Sequence, residues 1–230
     1  MALNILSAGA AKGLISALAH EFERRTGQGL EGPFGAVGAM KERFDRGEPC
    51  DVIVLTAAMI AAMVQAGEVD AATVADLGRV RTGVAVLQGA RQPAIATAAQ
   101  LREAIADASV IYFPDPQRAT AGIHCMKVLT ELGLAKTHGA RFRTYPNGAT
   151  AMAEMAAAGD ATAIGITQVT EILYTPGVQL VGVLPAQFEL ATVYTAAVSA
   201  RAQDPVLART LVELVSGPDS AARRREGGFE

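Results

Sequence analysis

Short β-branched runs alternate with Ala-rich stretches of helical period along almost the whole chain, and this alternation restricts the fold more than any other feature. Leu3–Ser7 reads as a strand, and Ala11–Arg25 as a helix with Leu14, Leu18 and Phe22 on one face and Gly27 as its stop. A strand at Leu30–Phe34, a helix at Val37–Asp45, a strand at Asp51–Thr56, a helix at Ala57–Ala66 and a long apolar run at Val80–Gln88 follow. The second series reads helix Ala98–Ala108, strand Val110–Pro114, helix Thr120–Leu132, strand Arg141–Tyr145, helix Thr150–Ala158, strand Ala163–Thr167, short helix Gln168–Tyr174 and strand Val178–Leu184. Leu190–Ser199 is a second long strand, and Pro205–Val215 a closing helix. Such a pattern predicts an α/β fold in which a largely parallel sheet is covered by helices.

The two long strands bracket the middle of the chain. They predict two lobes, residues 1–82 plus 190–230 in one and 83–189 in the other, with the crossing strands as a hinge. At 230 residues the chain is long enough for each lobe to bury its own core. Two α/β lobes with a cleft between them would place strand carboxyl ends and helix N-termini at a ligand.

Composition excludes several functions. Lys and Arg number 20 against 23 Asp and Glu, and the one tight basic run is Arg223–Arg225, so no phosphate-tracking surface and no nucleic-acid partner are expected. Cys50 and Cys125 stand apart from each other and from any His pair, which argues against a zinc site and against a disulfide scaffold; neither a metal nor a cofactor is expected. Phosphate-binding Gly-Lys-Ser/Thr loops, dinucleotide glycine fingerprints and nucleophile elbows are missing. No unbroken apolar stretch of membrane-spanning length occurs, so no membrane insertion is expected. As written, the N-terminus lacks a basic region followed by an apolar core, so the sequence reads as cytoplasmic; a native signal peptide preceding it would make the protein periplasmic.

Four strand-to-helix junctions are built from small residues: Ser7–Gly13, Gly35–Met40, Asp115–Gly122 and Asn147–Thr150. Small residues let backbone N–H groups approach a ligand, and the helix dipole favours an anion there, although glycine also serves many such turns sterically.

In order along nearly the whole chain, these residues resemble the molybdate-type periplasmic binding proteins. The segments that carry the likeness are Leu6–Leu14, Phe34–Met40, Gly47–Thr56, Asp115–Gly122, Gly159–Thr167 and Gly217–Phe229. The resemblance implies a two-lobed type II periplasmic-binding-protein fold with a hinge and an interdomain ligand cleft. It also implies a partner: a membrane ABC permease, provided a signal peptide precedes this sequence. Where that family places hydroxyls against an oxyanion, this chain has Gly9 and Ala36 or Val37, and Gln168 stands where the family carries a Tyr. Ala10 belongs to the same first loop. The polar residues left at the family's ligand positions are Ser7, Lys12, Thr56, Gln117, Arg118, Thr120, Asn147, Thr150, Thr167 and Gln168. This mixed set with two cations suits a small organic anion with more than one carboxylate better than molybdate.

Some proteins similar to this family isomerise unsaturated tricarboxylates such as aconitate, by proton transfer α to a carboxylate. That chemistry needs a base and cations, for which Lys12, Arg118, His124 and Glu171 are the candidates. Each has a plain structural alternative. Lys12 can be a solvated lysine, His124 and Glu171 ordinary helix residues, and Ser7, Thr120 and Thr150 caps.

Overall fold

The computed structural model describes residues 2–230. By density of contacts the chain forms two compact units: one takes the chain up to Val80 together with Thr192–Glu230, and the other is Arg81–Ala191.

In the first unit, β1 (Leu3–Ala8) leads into α1 (Lys12–Thr26), which ends at Gly27 in the left-handed conformation, φ 71°. The strand expected over residues 30–34 is two short pieces, β2 (Leu30–Glu31) and β3 (Phe34–Gly35). Gly32 and Pro33 break it: Gly32 sits at φ 143°, with the Ile5 carbonyl where a Cβ would be, and Pro33 has no N–H to offer. Then come α2 (Val37–Asp45), β4 (Val52–Thr56) and α3 (Ala57–Gln65). β1 pairs in parallel with β2, β3 and β4. β10 (Ala191–Val198) runs antiparallel to β4, Tyr194 opposite Thr56 and Val198 opposite Val52.

Leu6, Met40, Phe44, Ile53, Leu55, Ile60 and Met63 pack into a buried cluster beneath this sheet. Asp51 is buried at the head of β4. Its carboxylate accepts from the Asn4 N–H (2.7 Å), the Asn4 side-chain amide (3.2 Å) and the Gln203 N–H (2.7 Å), tying three segments together. After α8 (Pro205–Ser216) and α9 (Ala221–Glu226), Phe229 is buried and Glu230 exchanges two backbone hydrogen bonds with Arg79.

β5 (Ala75–Leu87) carries the chain into the second unit. It begins five residues before the expected start, because Asp76 and Gly78 disguise its first half. α4 (Ala98–Asp107), β6 (Ile111–Pro114), α5 (Thr120–Glu131), β7 (Phe142–Tyr145), α6 (Gly148–Ala158), β8 (Ile164–Gln168), α7 (Val169–Tyr174) and β9 (Val178–Val183) follow. β6 lies between β7 and β8, parallel to both, while β5 runs antiparallel to β8 and to β9. Val84, Leu101, Ile105, Phe113, Val128, Leu129 and Ile166 form the core on one face, and Tyr112, Met152, Met155 and Ile172 a second cluster. Gly122 lets α5 close onto β6: a Cβ there would lie 2.2 Å from the Asp115 carbonyl oxygen and 2.3 Å from that of Pro114.

Both units are thus α/β, with helices returning over mostly parallel strands. Among the described residues, no helix is long and apolar enough to cross a membrane.

Candidate functional site

Among the described residues, six helices follow a strand's carboxyl end through a short turn or none, and their N-termini are of two kinds. Thr56 caps α3 by accepting from the Met59 N–H, and Asn147 caps α6 by accepting from the Thr150 N–H at 2.8 Å. The other four, α1, α2, α5 and α7, begin after Ala11, Ala36, Ala119 and Gln168, and no side chain caps them. An uncapped start leaves donors without an intrahelical acceptor and the positive end of the helix dipole uncompensated. α1, α2 and α5 also lack any acidic residue in the first turn.

In the first unit, the parallel pairing brings the candidate loops to one sheet edge. Ser7 is opposite both Phe34 and Val54, and Ala8 is opposite Gly35. Gly9 and Ala10, Ala36 and Val37, and Thr56 therefore leave neighbouring strands on the same side. Ser7 is fully buried, and its hydroxyl donates to the Ala8 carbonyl at 3.1 Å. It does not act as a cap. Gly9–Ala11 form one turn of 3₁₀ helix before the half-buried Lys12 opens α1.

In the second unit, β6, β7 and β8 end side by side. The Asp115 carboxylate accepts from the backbone N–H groups of Gln117 (2.7 Å) and Arg118 (3.2 Å), folding a turn that leaves both side chains exposed just ahead of Thr120. Thr120 opens α5 but is not its cap. Thr150 donates its hydroxyl to Asn147 at 3.0 Å, so these two residues serve each other.

Glu171 is buried and belongs to α6 as much as to its own helix. Its Oε1 accepts from the Gly148 N–H at 3.1 Å and its Oε2 from the Thr167 hydroxyl at 2.6 Å. Burial pushes its carboxyl above the ordinary carboxylate range, against the pull of the Thr167 hydroxyl and of the Ala149, Gly148 and Gln168 backbone. His124 is elsewhere in the same unit, half-buried on α5, where Nε2 donates to the Phe188 carbonyl at 2.7 Å, leaving Nδ1 as its basic nitrogen. Lys12 is in the other unit.

Four described residues carry buried side-chain polar atoms without a hydrogen-bond partner: Glu68, Thr82, Gln168 and Thr170. Glu68 is accounted for by Lys41, 3.3 Å away. Two of the remaining three are neighbours, since Thr82 is directly opposite Gln168 across the β5–β8 pair; Thr170 follows two residues later, in α7. The sequence analysis singles out Gln168 but neither Thr82 nor Thr170. A Gln-Val-Thr sequence at a strand end was the available hint for Thr170; nothing announces the register that brings in Thr82. Among the described residues, no group of three or more His, Cys, Asp or Glu side chains could hold a metal ion.

Comparison with known proteins agrees with this architecture. The periplasmic molybdate-binding protein of Azotobacter vinelandii superposes with a TM-score of 0.80 at 19% identity, covering 99% of this chain and 98% of that one. The sulfate-binding protein of Mycobacterium tuberculosis H37Rv gives 0.76 at 16% identity, covering 100% and 86%. In sequence, an aconitate isomerase from a Pseudomonas species is 28% identical over 99% of this chain and 87% of its own. These likenesses establish the two-lobed periplasmic-binding-protein fold. The family model for bacterial extracellular solute-binding proteins matches residues 3–230, and the chain belongs to that family.

Proposed function

We propose that this protein binds a small organic anion with more than one carboxylate. The observation that carries the reading is the set of uncapped helix starts at α1, α2 and α5, which follow strand carboxyl ends and have no acidic residue in the first turn. They offer backbone N–H donors and positive dipole ends to a negatively charged ligand. Lys12 opens α1 and Arg118 lies two residues ahead of α5, each near the positive end of a helix dipole, where a cation adds nothing to helix stability. Gly9, Ala36 and Val37 bring no hydroxyl toward a compact tetrahedral oxyanion, which favours a larger organic anion. The family supports a role in delivering that ligand to a membrane transporter.

A thermal-shift panel of molybdate, sulfate, and di- and tricarboxylates tests the reading. A ligand at a hundred times its Kd stabilises by about 2.7 kcal/mol. Carboxylates should raise the midpoint while molybdate leaves it unmoved.

The 28% identity to an aconitate isomerase supports a second reading, isomerisation of an unsaturated tricarboxylate. Proton removal α to a carboxylate would fall to a base such as Lys12, His124 Nδ1 or Glu171, with helix N-termini and Arg118 stabilising the charge that develops. Incubation with cis- or trans-aconitate, followed by proton NMR in heavy water, separates the two. Interconversion with deuterium uptake marks a catalyst; unchanged aconitate together with ligand-induced stabilisation marks a binder.

A further inference from the structure

We propose that the solute carries its own hydroxyl group, and that Gln168, Thr82 and Thr170 select for it. This rests on the anion-binding reading above and adds a chemical requirement to it. Gln168 is 2% exposed, yet neither its amide nitrogen nor its amide oxygen has a partner; Thr82 (1% exposed) and Thr170 (4%) have unpartnered hydroxyls. Residues directly opposite in an antiparallel pair project their side chains to the same face of the sheet, so Thr82 and Gln168 share a face. Buried polar groups left unpaired are costly, and a ligand that pairs with Thr82 and Gln168 on their shared face would remove that cost.

Donor arithmetic then narrows the ligand. Two threonine hydroxyls and an amide NH₂ can all donate, but neither threonine bonds the Gln168 Oε1, which can only accept. A fully deprotonated oxyanion or bare carboxylate has no proton to give it, and would set negative oxygen beside it. A ligand hydroxyl donates to Oε1 while accepting from Nε2 or a threonine. The chemistry is a hydroxycarboxylate, an anion of the kind proposed above that bears its own O–H.

The experiment is calorimetric titration of matched pairs differing by that hydroxyl: malate against succinate, citrate against tricarballylate, phosphate against sulfate. In at least one pair the hydroxyl-bearing member should bind about tenfold tighter or better. Gln168→Met and Thr82→Val should bring the two members of that pair to within about twofold of each other. A response confined to phosphate over sulfate would overturn the hydroxycarboxylate proposal. Without ligand, Gln168→Met, Thr82→Val and Thr170→Val should melt at the wild-type temperature or higher, because each removes an unpaired buried group. Equal affinities within every pair, a preference that survives both substitutions, or a lower melting temperature in the variants would overturn the proposal. Failure of all six compounds to bind would overturn the anion-binding reading beneath it as well.

Discussion

Gly148 donates its backbone N–H to the buried Glu171 carboxylate, 23 residues further along the chain, at 3.1 Å. The contact depends on the missing side chain: a Cβ on Gly148 would lie 2.0 Å from Glu171 Oε2 and 1.9 Å from Thr167 Oγ1. Gly148→Ala should therefore drive apart α6, β8 and α7, at a cost of about 3 kcal/mol in urea unfolding. An alanine variant of wild-type stability would contradict the packing described here.

The same carboxyl predicts a pH dependence. Its native pKa is raised above the ordinary 4.5, chiefly by burial. As pH rises past 4.5 the unfolded chain releases this proton while the native protein keeps it, so stability falls until the native value is passed and is level above it. Glu171→Gln keeps an acceptor for Gly148 and abolishes that fall. Urea unfolding between about pH 4 and pH 8 should show the variant gaining on wild type as pH rises. A wild type that gains on the variant would reverse the assignment.

Asp51 predicts the opposite kind of sensitivity, to removal of the group itself. Three donors from Asn4 and Gln203 converge on its buried carboxylate. Asp51→Ala strands them and should cost about 3 kcal/mol; Asp51→Asn, which keeps one acceptor oxygen, should cost less. Equal losses in the two variants would mean that packing, not hydrogen bonding, holds the head of β4.

Much of this was legible in the sequence, because binary patterning and glycine stops report local structure. α2 is found at the expected 37–45, and α1, α3, α4 and α5 within a residue or two at each end. The small-residue loops at Gly9, Ala36 and Ala119 were legible as uncapped helix starts, because the lack of a polar cap is visible in the letters themselves. Other features depend on partners that are distant in sequence. Glu171 reads as an ordinary first-turn acid until the fold shows it serving α6. Thr82 reads as strand filler until the β5–β8 register sets it against Gln168. Thr150 looks like a cap, but Asn147, three residues earlier, takes that role.

The two cysteines provide one reporter in each unit. Cys50 is buried and its thiol pushed up to about 12, and Cys125 is wholly buried and pushed up further still, in both cases by desolvation. Neither should react with a thiol reagent in the native protein at pH 8, and both should react in urea. Labelling through native-state opening should then give one rate for Cys50 and the first unit, and another for Cys125 and the second. Prompt reaction of either thiol without denaturant would contradict its burial.

Calorimetric titration with citrate and with molybdate under the same conditions, on wild type and on Arg118→Ala, tests the central claim most directly. The account predicts that citrate binds at least about a hundredfold more tightly than molybdate, and that the Arg118 variant loses about tenfold or more in citrate affinity with its melting temperature unchanged. Molybdate binding as tightly as citrate, or more tightly, would contradict it.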